Sequence, residues 1–415
     1  MFEKVRRVAG VCRAFEGEVI GSVRVCFLST IAIETSRLIA RQCNAVARSG
    51  ARVTLIAPLP ALLHYTHFKV LHFPCAAGAI GRLLSTPLIL IPALREKADI
   101  YHIHSFQLVW CAIVLKVCFQ KHVVYDMFED FPSIILTKHS IPKHIKTVFS
   151  YGIMFMERLA CKILDAIVTA DPAVLRMYTQ NRRVIGKARR RIFYNFPAEW
   201  FLKCYDSERQ HLSKKYDIVY SGGMSERTGL PVLLNVVELM AKEGVRPKVL
   251  MFGYTDGASF VTQFMAKALE KGLDDCFEIL GRVRPIEVPS LLCQARVGVV
   301  PLQPIPKFLK NIPTKIFEYW ACSLPVVASN LPPTRLFMRE GEFGHLVDPT
   351  DASAFAGALV KLLLDPLRAE SMGANARKAV RLRMNAESEQ RRLLRLYSTI
   401  LGLESVGDLE SMGKS

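Results

Sequence analysis

The sequence predicts an α/β protein made of two doubly wound parallel-sheet domains, and three observations carry that prediction. At 415 residues the chain exceeds what one ordinary core accommodates, so two domains of about 200 residues each are expected. Short β-branched runs alternate with segments of helical periodicity, the rhythm that gives a parallel sheet covered by helices. The rhythm then restarts after the polar stretch SERQHLSKKYD at 207–217. These observations set an N-terminal domain at 1–200, a second at 210–380 and a joint near 196–216. A C-terminal segment, 381–415, holds the helical pattern SEQRRLLRLYSTILG, which suits packing back across the junction.

Taken in order, VRVCFLS (23–29) reads as a buried strand, ETSRLIARQCNAVARSG as a helix and ARVTLIAP as a second strand, together one β-α-β unit. Strands at 98–105 (ADIYHIHS) and in KHVVYD (121–126) flank a helix through LVWCAIVLKVCF. The helix IKTVFSYGIMFMERLACKILD then leads to the strand AIVTAD. In the second half the strands are IVYSGG (218–223), KVLMFG, FEILG, VGVVPL and PVVAS. The helices LPVLLNVVELMAKEG, FVTQFMAKALEKG and VPSLLCQA lie between them. Open parallel sheets collect ligands beyond the carboxyl ends of their strands, so two such domains facing each other are expected to form an inter-domain cleft.

Composition narrows the function classes. Eleven cysteines, odd in number and without a C-x-x-C pair, argue against a disulfide framework or a zinc site. They suit reduced thiols in a cytoplasmic protein. The first residues lack an unbroken apolar stretch, which argues against a cleaved signal peptide. Neither half has G-x-G-x-x-G after its first strand, against a nicotinamide enzyme. The net charge of +18 is uneven: residues 1–200 hold 27 Lys/Arg against 13 Asp/Glu, the remainder 28 against 24. A basic half suits an anionic membrane face, with Arg182, Arg183, Lys187, Arg189, Arg190 and Arg191 as one patch and Lys138, Lys143 and Lys146 as another. No zinc finger, RNP-like motif or helix-turn-helix spacing accompanies the charge, so no nucleic-acid partner is expected. The apolar PLILIPAL (87–94) is short for a membrane span and reads as a core helix or one lying at the interface.

The stretch PTKIFEYWACSLPVVAS (313–329) carries the polar signal. Pro313 and Thr314 suit a helix start, and Lys315 and Glu318 share a face at i,i+3. The two charges are either a surface pair or part of a helix start that addresses a polar ligand. Gly222 and Gly223 follow a strand and let backbone approach a phosphate, with Arg227 just before the next helix. His104 ends HIHS, and Asp126, Glu129 and Asp130 cluster in YDMFEDFP beyond a strand end. Capping and turn formation are the plain roles for those carboxylates.

In order and spacing, IVYSGGMSERTGL, KVLMFG, FEILGRV, PTKIFEYWACSLPVVAS and FGHLVDPTD resemble the donor domain of the GT-B, family-four retaining glycosyltransferases. VRVCFLST, the helix and strand after it, and VVYDMFEDFP resemble that family's acceptor domain, in the branch with a Y-D-x-H-E-D-Y-P signature. The resemblance covers nearly the whole chain. It implies a nucleotide diphosphate sugar donor, a glycan or lipid-linked acceptor and no metal or other cofactor. Glu318 would receive the donor's ribose hydroxyls. Thr314, Lys315, Gly222, Gly223 and Arg227 would face the diphosphate, with Arg227, Lys315 and Glu318 as the catalytic set, and Gly281 and Arg282 would lie near the base. His104, Asp126, Glu129 and Asp130 would face the acceptor. A surface-glycan pathway such as lipopolysaccharide suits the resemblance. Four positions depart from the pattern: Gly223 stands for an arginine, Thr228 for a lysine, Lys310 for the first glutamate of E-x7-E and Phe128 for the histidine. A nucleotide-sugar epimerase on the same plan and a non-catalytic nucleotide-binding subunit are the alternatives.

Overall fold

Two all-parallel sheets organise the chain. The first contains β1 (Arg24–Leu28), β2 (Arg52–Ala57), β3 (Lys69–His72), β4 (Ile100–Ile103), β5 (His122–Met127), β6 (Ala166–Thr169) and β7 (Arg189–Ile192), in the spatial order β3-β2-β1-β4-β5-β6-β7. The second contains β8 (Tyr216–Ser221), β9 (Val249–Phe252), β10 (Phe277–Gly281), β11 (Ala295–Val300), β12 (Val326–Ser329) and β13 (Gly344–Val347), in the order β10-β9-β8-β11-β12-β13. Each order reverses direction once, between β1 and β4 and between β8 and β11, which is where such sheets open a crevice at the carboxyl ends of their strands. The computed structural model describes residues 23–31, 36–58, 67–76, 78–136, 142–179, 188–208, 212–255, 258–339 and 341–403. The chain divides into two compact units, Met1–Asn195 together with Glu387–Ser415, and Phe196–Ala386. Each unit has the doubly wound parallel-sheet architecture that the strand pattern leads one to expect.

In the first unit the period-two alternation of β1 decides which helices cover which face. Val25 and Phe27 join one core with Leu38 and Val46, from a π-helical segment (Ser36–Cys43) running into helix Asn44–Arg48, and with Leu393, Leu396 and Tyr397 of the last helix, Ala386–Leu401. Cys26 and Leu28 join the opposite core with Ile89 and Ala93 of helix Pro87–Arg95, Leu115 of Val109–Val117, and Ala160 and Cys161 of Lys143–Ile163. The last helix is held by more than apolar contact. The Tyr397 hydroxyl lies 2.5 Å from His102 Nδ1, both fully buried, and His102 stacks on Phe27 with ring centres 4.9 Å apart. Buried Glu389 accepts the Tyr194 backbone N–H at 2.9 Å and Arg392 at 2.7 Å.

In the second unit, helices Leu230–Lys242, Ala258–Glu270 and Ala352–Leu364 share a core with Tyr220, Val249, Met251 and Val299 of the sheet. Helix Lys315–Ala321 packs with Pro366–Leu382, and Gly373 approaches so closely that a Cβ there would meet the Ser323 carbonyl at 1.9 Å.

Among the described residues, the strands β3, β7 and β13 and the helices Gly78–Ser85, Phe131–Leu136, Pro172–Thr179, Glu199–Glu208, Pro332–Arg335, Ala352–Leu364 and Pro366–Leu382 have no counterpart in the sequence reading. Strand β7 is RRRI, half of the stretch read as a basic patch. Arg189, Arg190 and Arg191 lie on the sheet's outermost strand, where charge discourages further strand pairing. Lys143 and Lys146 open helix Lys143–Ile163, while Lys138, Arg182, Arg183 and Lys187 lie outside the described residues. PLILIPAL forms helix Pro87–Arg95, with Ile89 and Ala93 in the core. Among the described residues no helix is long and apolar enough to cross a membrane.

The Tyr397–His102 contact yields a direct test. Tyr397→Phe keeps the ring and strands a buried imidazole nitrogen, so urea unfolding of the first unit should show a loss of about 1–3 kcal/mol.

Candidate functional site

At the carboxyl edge of the second sheet, backbone replaces side chains. Gly222, directly after β8, has φ +121°, and Gly253, directly after β9, has φ +141°. Gly222 N–H donates to the Phe252 carbonyl at 2.9 Å, and Gly253 N–H donates to the carbonyl of Gly281, the last residue of β10, at 2.7 Å. A Cβ on Gly253 would sit 2.0 Å from the Gly222 carbonyl oxygen. The three strand ends therefore form a continuous backbone ledge that only glycine at these two positions permits. Gly223 is exposed and has open space around it, and its carbonyl accepts the Tyr220 hydroxyl at 2.5 Å.

Lys315 reaches over this ledge. Its Nζ would stand 2.9 Å from a Cβ placed on Gly222, and it lies 3.9 Å from the centre of the Tyr220 ring, a cation–π contact. Lys315 is the first residue of helix Lys315–Ala321, and Thr314 before it is exposed, with no capping hydrogen bond from its side chain. The helix is anchored from below. Buried Tyr319 accepts the Ser221 N–H at 2.7 Å and lies so close to β11 that a Cβ on Gly298 would meet its ring at 2.4 Å. Phe317 packs edge-on against Phe196 and Phe337, with centres 4.8 and 4.9 Å away. With Ile316, Phe317, Tyr319 and Trp320 buried, the helix keeps Lys315 and Glu318 half-exposed, one turn apart at i,i+3.

The other residues singled out in this unit are more peripheral. Arg227 and Arg282 are exposed, and Lys310 is half-exposed in the loop before the helix. Thr228 turns inward: its hydroxyl donates to the Ser225 carbonyl at 2.8 Å and accepts the Ser225 N–H at 3.1 Å, closing a capping box. Gly229, with φ +83°, packs against Pro301 after β11. A lysine at 228 would break this cap, so the loop is built around threonine.

The first unit presents a different edge. Asp126, a candidate from sequence, is fully buried. It receives Arg37 in a two-pronged pair at 2.7 and 2.9 Å, with Gln42 at 2.7 Å. Arg37 also donates to the Phe193 carbonyl at 2.7 Å and to Asn195 Oδ1 at 2.9 Å. Burial alone would raise the Asp126 carboxyl; Arg37 above all, with His104, outweighs it and holds the group down to about 2. His104 Nε2 lies 3.6 Å from Asp126, yet burial pushes the imidazole down to about 4 despite that carboxylate, so it is neutral near pH 7. Asp130 is buried and takes the Ser133 N–H at 3.2 Å and hydroxyl at 2.5 Å, capping helix Phe131–Leu136. Asp126 and Asp130 thus occupy structural positions inside the unit. Glu129 is the half-exposed carboxylate of the three. Phe128 stacks on His104 with centres 4.5 Å apart and 11° between planes, and meets Phe131 edge-on at 5.1 Å. The aromatic ring at 128 is integrated into its surroundings.

Sequence reasoning missed Gly253, Tyr319 and Arg37. Gly253 ends KVLMFG and was visible as a glycine after a strand. The roles of Tyr319 and Arg37 depend on contacts 98 and 89 residues away in the chain, which no local pattern encodes.

Residues 215–365 match the family model described as Glycosyl transferases group 1. A phosphatidyl-myo-inositol mannosyltransferase of Mycobacterium leprae is 40% identical over 86 residues, 20% of this chain and 22% of that protein. An O-antigen chain mannosyltransferase B of Escherichia coli is 28% identical over 149 residues, 35% and 36% of the two chains. These matches therefore span about a fifth and a third of the curated relatives' own lengths. Among solved structures, Anabaena HepE in complex with UDP and glucose superposes with a TM-score of 0.68, covering 91% of this chain and all of that one at 17% identity, a likeness of fold.

The buried Asp126–Arg37 pair sets an acid limit for the first unit. Because the folded carboxyl is held below its ordinary 3.8, its stabilisation is present above about pH 4 and is lost as pH falls toward 2. Asp126→Asn should abolish that part of the acid-unfolding profile. At neutral pH it should cost about 3–5 kcal/mol, because Arg37 is left buried without its counter-charge.

Proposed function

We propose that this chain, a member of the glycosyl transferases group 1 with the GT-B fold, moves a sugar from a nucleotide diphosphate sugar to a glycan or lipid-linked acceptor with retention at the anomeric carbon. The observation that carries the reading is the glycine ledge of the second unit with Lys315 over it and Glu318 one turn further along. A ledge without Cβ atoms admits a diphosphate against backbone, and the Lys315 ammonium supplies opposite charge. Glu318 accepts two hydrogen bonds from a vicinal diol, as a ribose presents. Thr314, Gly223 and Arg227 line the diphosphate, and Gly281 and Arg282 lie toward the base. In the reaction the sugar–phosphate bond breaks as the acceptor oxygen attacks on the same face, and the departing diphosphate takes the acceptor's proton. Lys315, Arg227 and backbone donors stabilise the charge that develops on it.

On the acceptor side, Glu129 and His104 are the candidates with a place at the strand ends, and Phe128 with its aromatic neighbours substitutes for the histidine of the resemblance. The mannosyltransferase relatives, one named for phosphatidyl-myo-inositol and one for O-antigen, support a lipid-linked or surface-glycan acceptor. The basic first unit supports a cytoplasmic protein in peripheral contact with the anionic inner face of a membrane. The capped Thr228 loop favours a second reading, nucleotide-sugar binding without turnover. Donor binding with neither hydrolysis nor transfer over a broad acceptor panel distinguishes it, and an epimer formed from donor alone would identify an epimerase.

A thermal-shift screen over nucleotide diphosphate sugars is the primary test, since a ligand that binds the native state raises its melting temperature. With the donor so identified, Glu318→Ala should weaken its binding by about 1.5–3 kcal/mol in a folded protein. Unchanged affinity would rule out the ribose assignment. Phe128→His should lower melting temperature and single-turnover rate together, because the ring at 128 is packed on His104 and Phe131. A faster rate would mean that the histidine had been lost without replacement.

A further inference from the structure

Helix Lys143–Ile163 buries Ala160 and Cys161 in the first-unit core and turns Glu157 inward to accept the hydroxyls of Tyr125 and Tyr178 at 2.8 and 2.5 Å. Its opposite side is unusual. Val148, Tyr151 and Phe155 are 71%, 66% and 64% exposed, and their i, i+3, i+7 spacing aligns them on one outward stripe, with Ile145 and Phe149 exposed beside it. A helix contributing to a globular core ordinarily shows polar residues there. The charges on the stripe's own side are positive, Arg158 and Lys162 beyond Phe155, and the helix opens with two more, Lys143 and Lys146. The helix has one acidic residue, Glu157, and that residue is buried.

We infer that this outward face of helix Lys143–Ile163 docks on an anionic lipid bilayer, lying in the interface with Val148, Tyr151 and Phe155 inserted among acyl chains and with Arg158 and Lys162 at headgroup phosphates. The inference rests on the membrane contact proposed above and assigns it to one surface. Charge complementarity decides the occupant. A second copy of the chain would bring the same positive flanks together, at an electrostatic cost, whereas phosphate headgroups neutralise them. The helix lies on the membrane rather than crossing it, because its inner side is committed to the core and no described helix meets the length and apolarity of a span. The helix begins with Lys143 and Lys146 of the second basic patch, and its apolar stripe adds what charge alone did not single out: insertion supplies affinity that does not depend on salt.

The test is sedimentation of the full chain with vesicles of phosphatidylcholine, alone or mixed with phosphatidylglycerol. Wild type should partition onto the mixed vesicles and far less onto phosphatidylcholine. The triple variant Val148→Ser/Tyr151→Ser/Phe155→Ser leaves the charge unchanged and should lose about tenfold or more in partitioning, with its melting temperature preserved. Arg158→Gln/Lys162→Gln should bind more weakly with a shallower salt dependence. Leu269→Ser, which removes a similarly exposed leucine from the second unit, should bind as wild type. A triple variant that binds like wild type overturns the inference and leaves the membrane reading standing. Wild type that ignores anionic vesicles defeats both. Self-association of the wild type that the triple variant abolishes would assign the face to a second copy and overturn the inference too.

Discussion

Parallel pairing forces every connection between neighbouring strands to cross from one end of a sheet to the other, and this requirement shapes the molecule more than any single contact. A hairpin cannot join parallel neighbours, so helices fill the crossovers and bury both faces, and the inner strands become mostly apolar. What remains for chemistry is the edge where the strands end. In the second unit that edge is Gly222, Gly253 and Gly281; in the first it is His104, Asp126 and the aromatic residues around Phe128. The two edges are built on the same strand order and have opposite characters. One is bare backbone under a lysine, the other a packed arrangement of rings and a buried ion pair.

The apolar strands were legible because burial on both faces leaves a run of valine, isoleucine and leucine that few other structures require. RRRI at β7 was not, since its strand character comes from pairing with β6 and its charges suit its outermost place in the sheet. Lys315 and Glu318 could be read from their spacing at a helix start, and the helix is where the pattern placed it. Their surroundings could not. Tyr319 holds the helix to Ser221 across 98 residues, and Lys315 finds the Tyr220 ring across 95. Asp126 illustrates the reverse case: a carboxylate beyond a strand end looks available in sequence, and only the guanidinium of Arg37 from a distant helix reveals that it is occupied.

The departures from the family pattern acquire physical reasons in the structure. Thr228 closes a capping box that a lysine could not close, and the ring of Phe128 lies flat on the neutral imidazole of His104, a contact that burial favours. Gly223 leaves open space where an arginine would reach out. Thr228 and Phe128 thus replace a polar group by local packing, whereas Gly223 replaces one by open space. The surviving positive charge on the ledge, Lys315, is therefore the group on which the electrostatics of the second unit's edge most depends.

The first unit is assembled from two separate lengths of chain, since Leu393, Leu396 and Tyr397 complete a core begun by Val25 and Phe27. During synthesis the ribosome must make the whole of the second unit before the helix carrying Tyr397 emerges. Until then one face of the first sheet, including His102 and Phe27, lacks the part of its cover that Leu393, Leu396 and Tyr397 supply, while the second unit already has all the residues of its own core. The order of completion is thus the reverse of the order of translation, and the nascent chain carries an unfinished apolar face for most of its time on the ribosome.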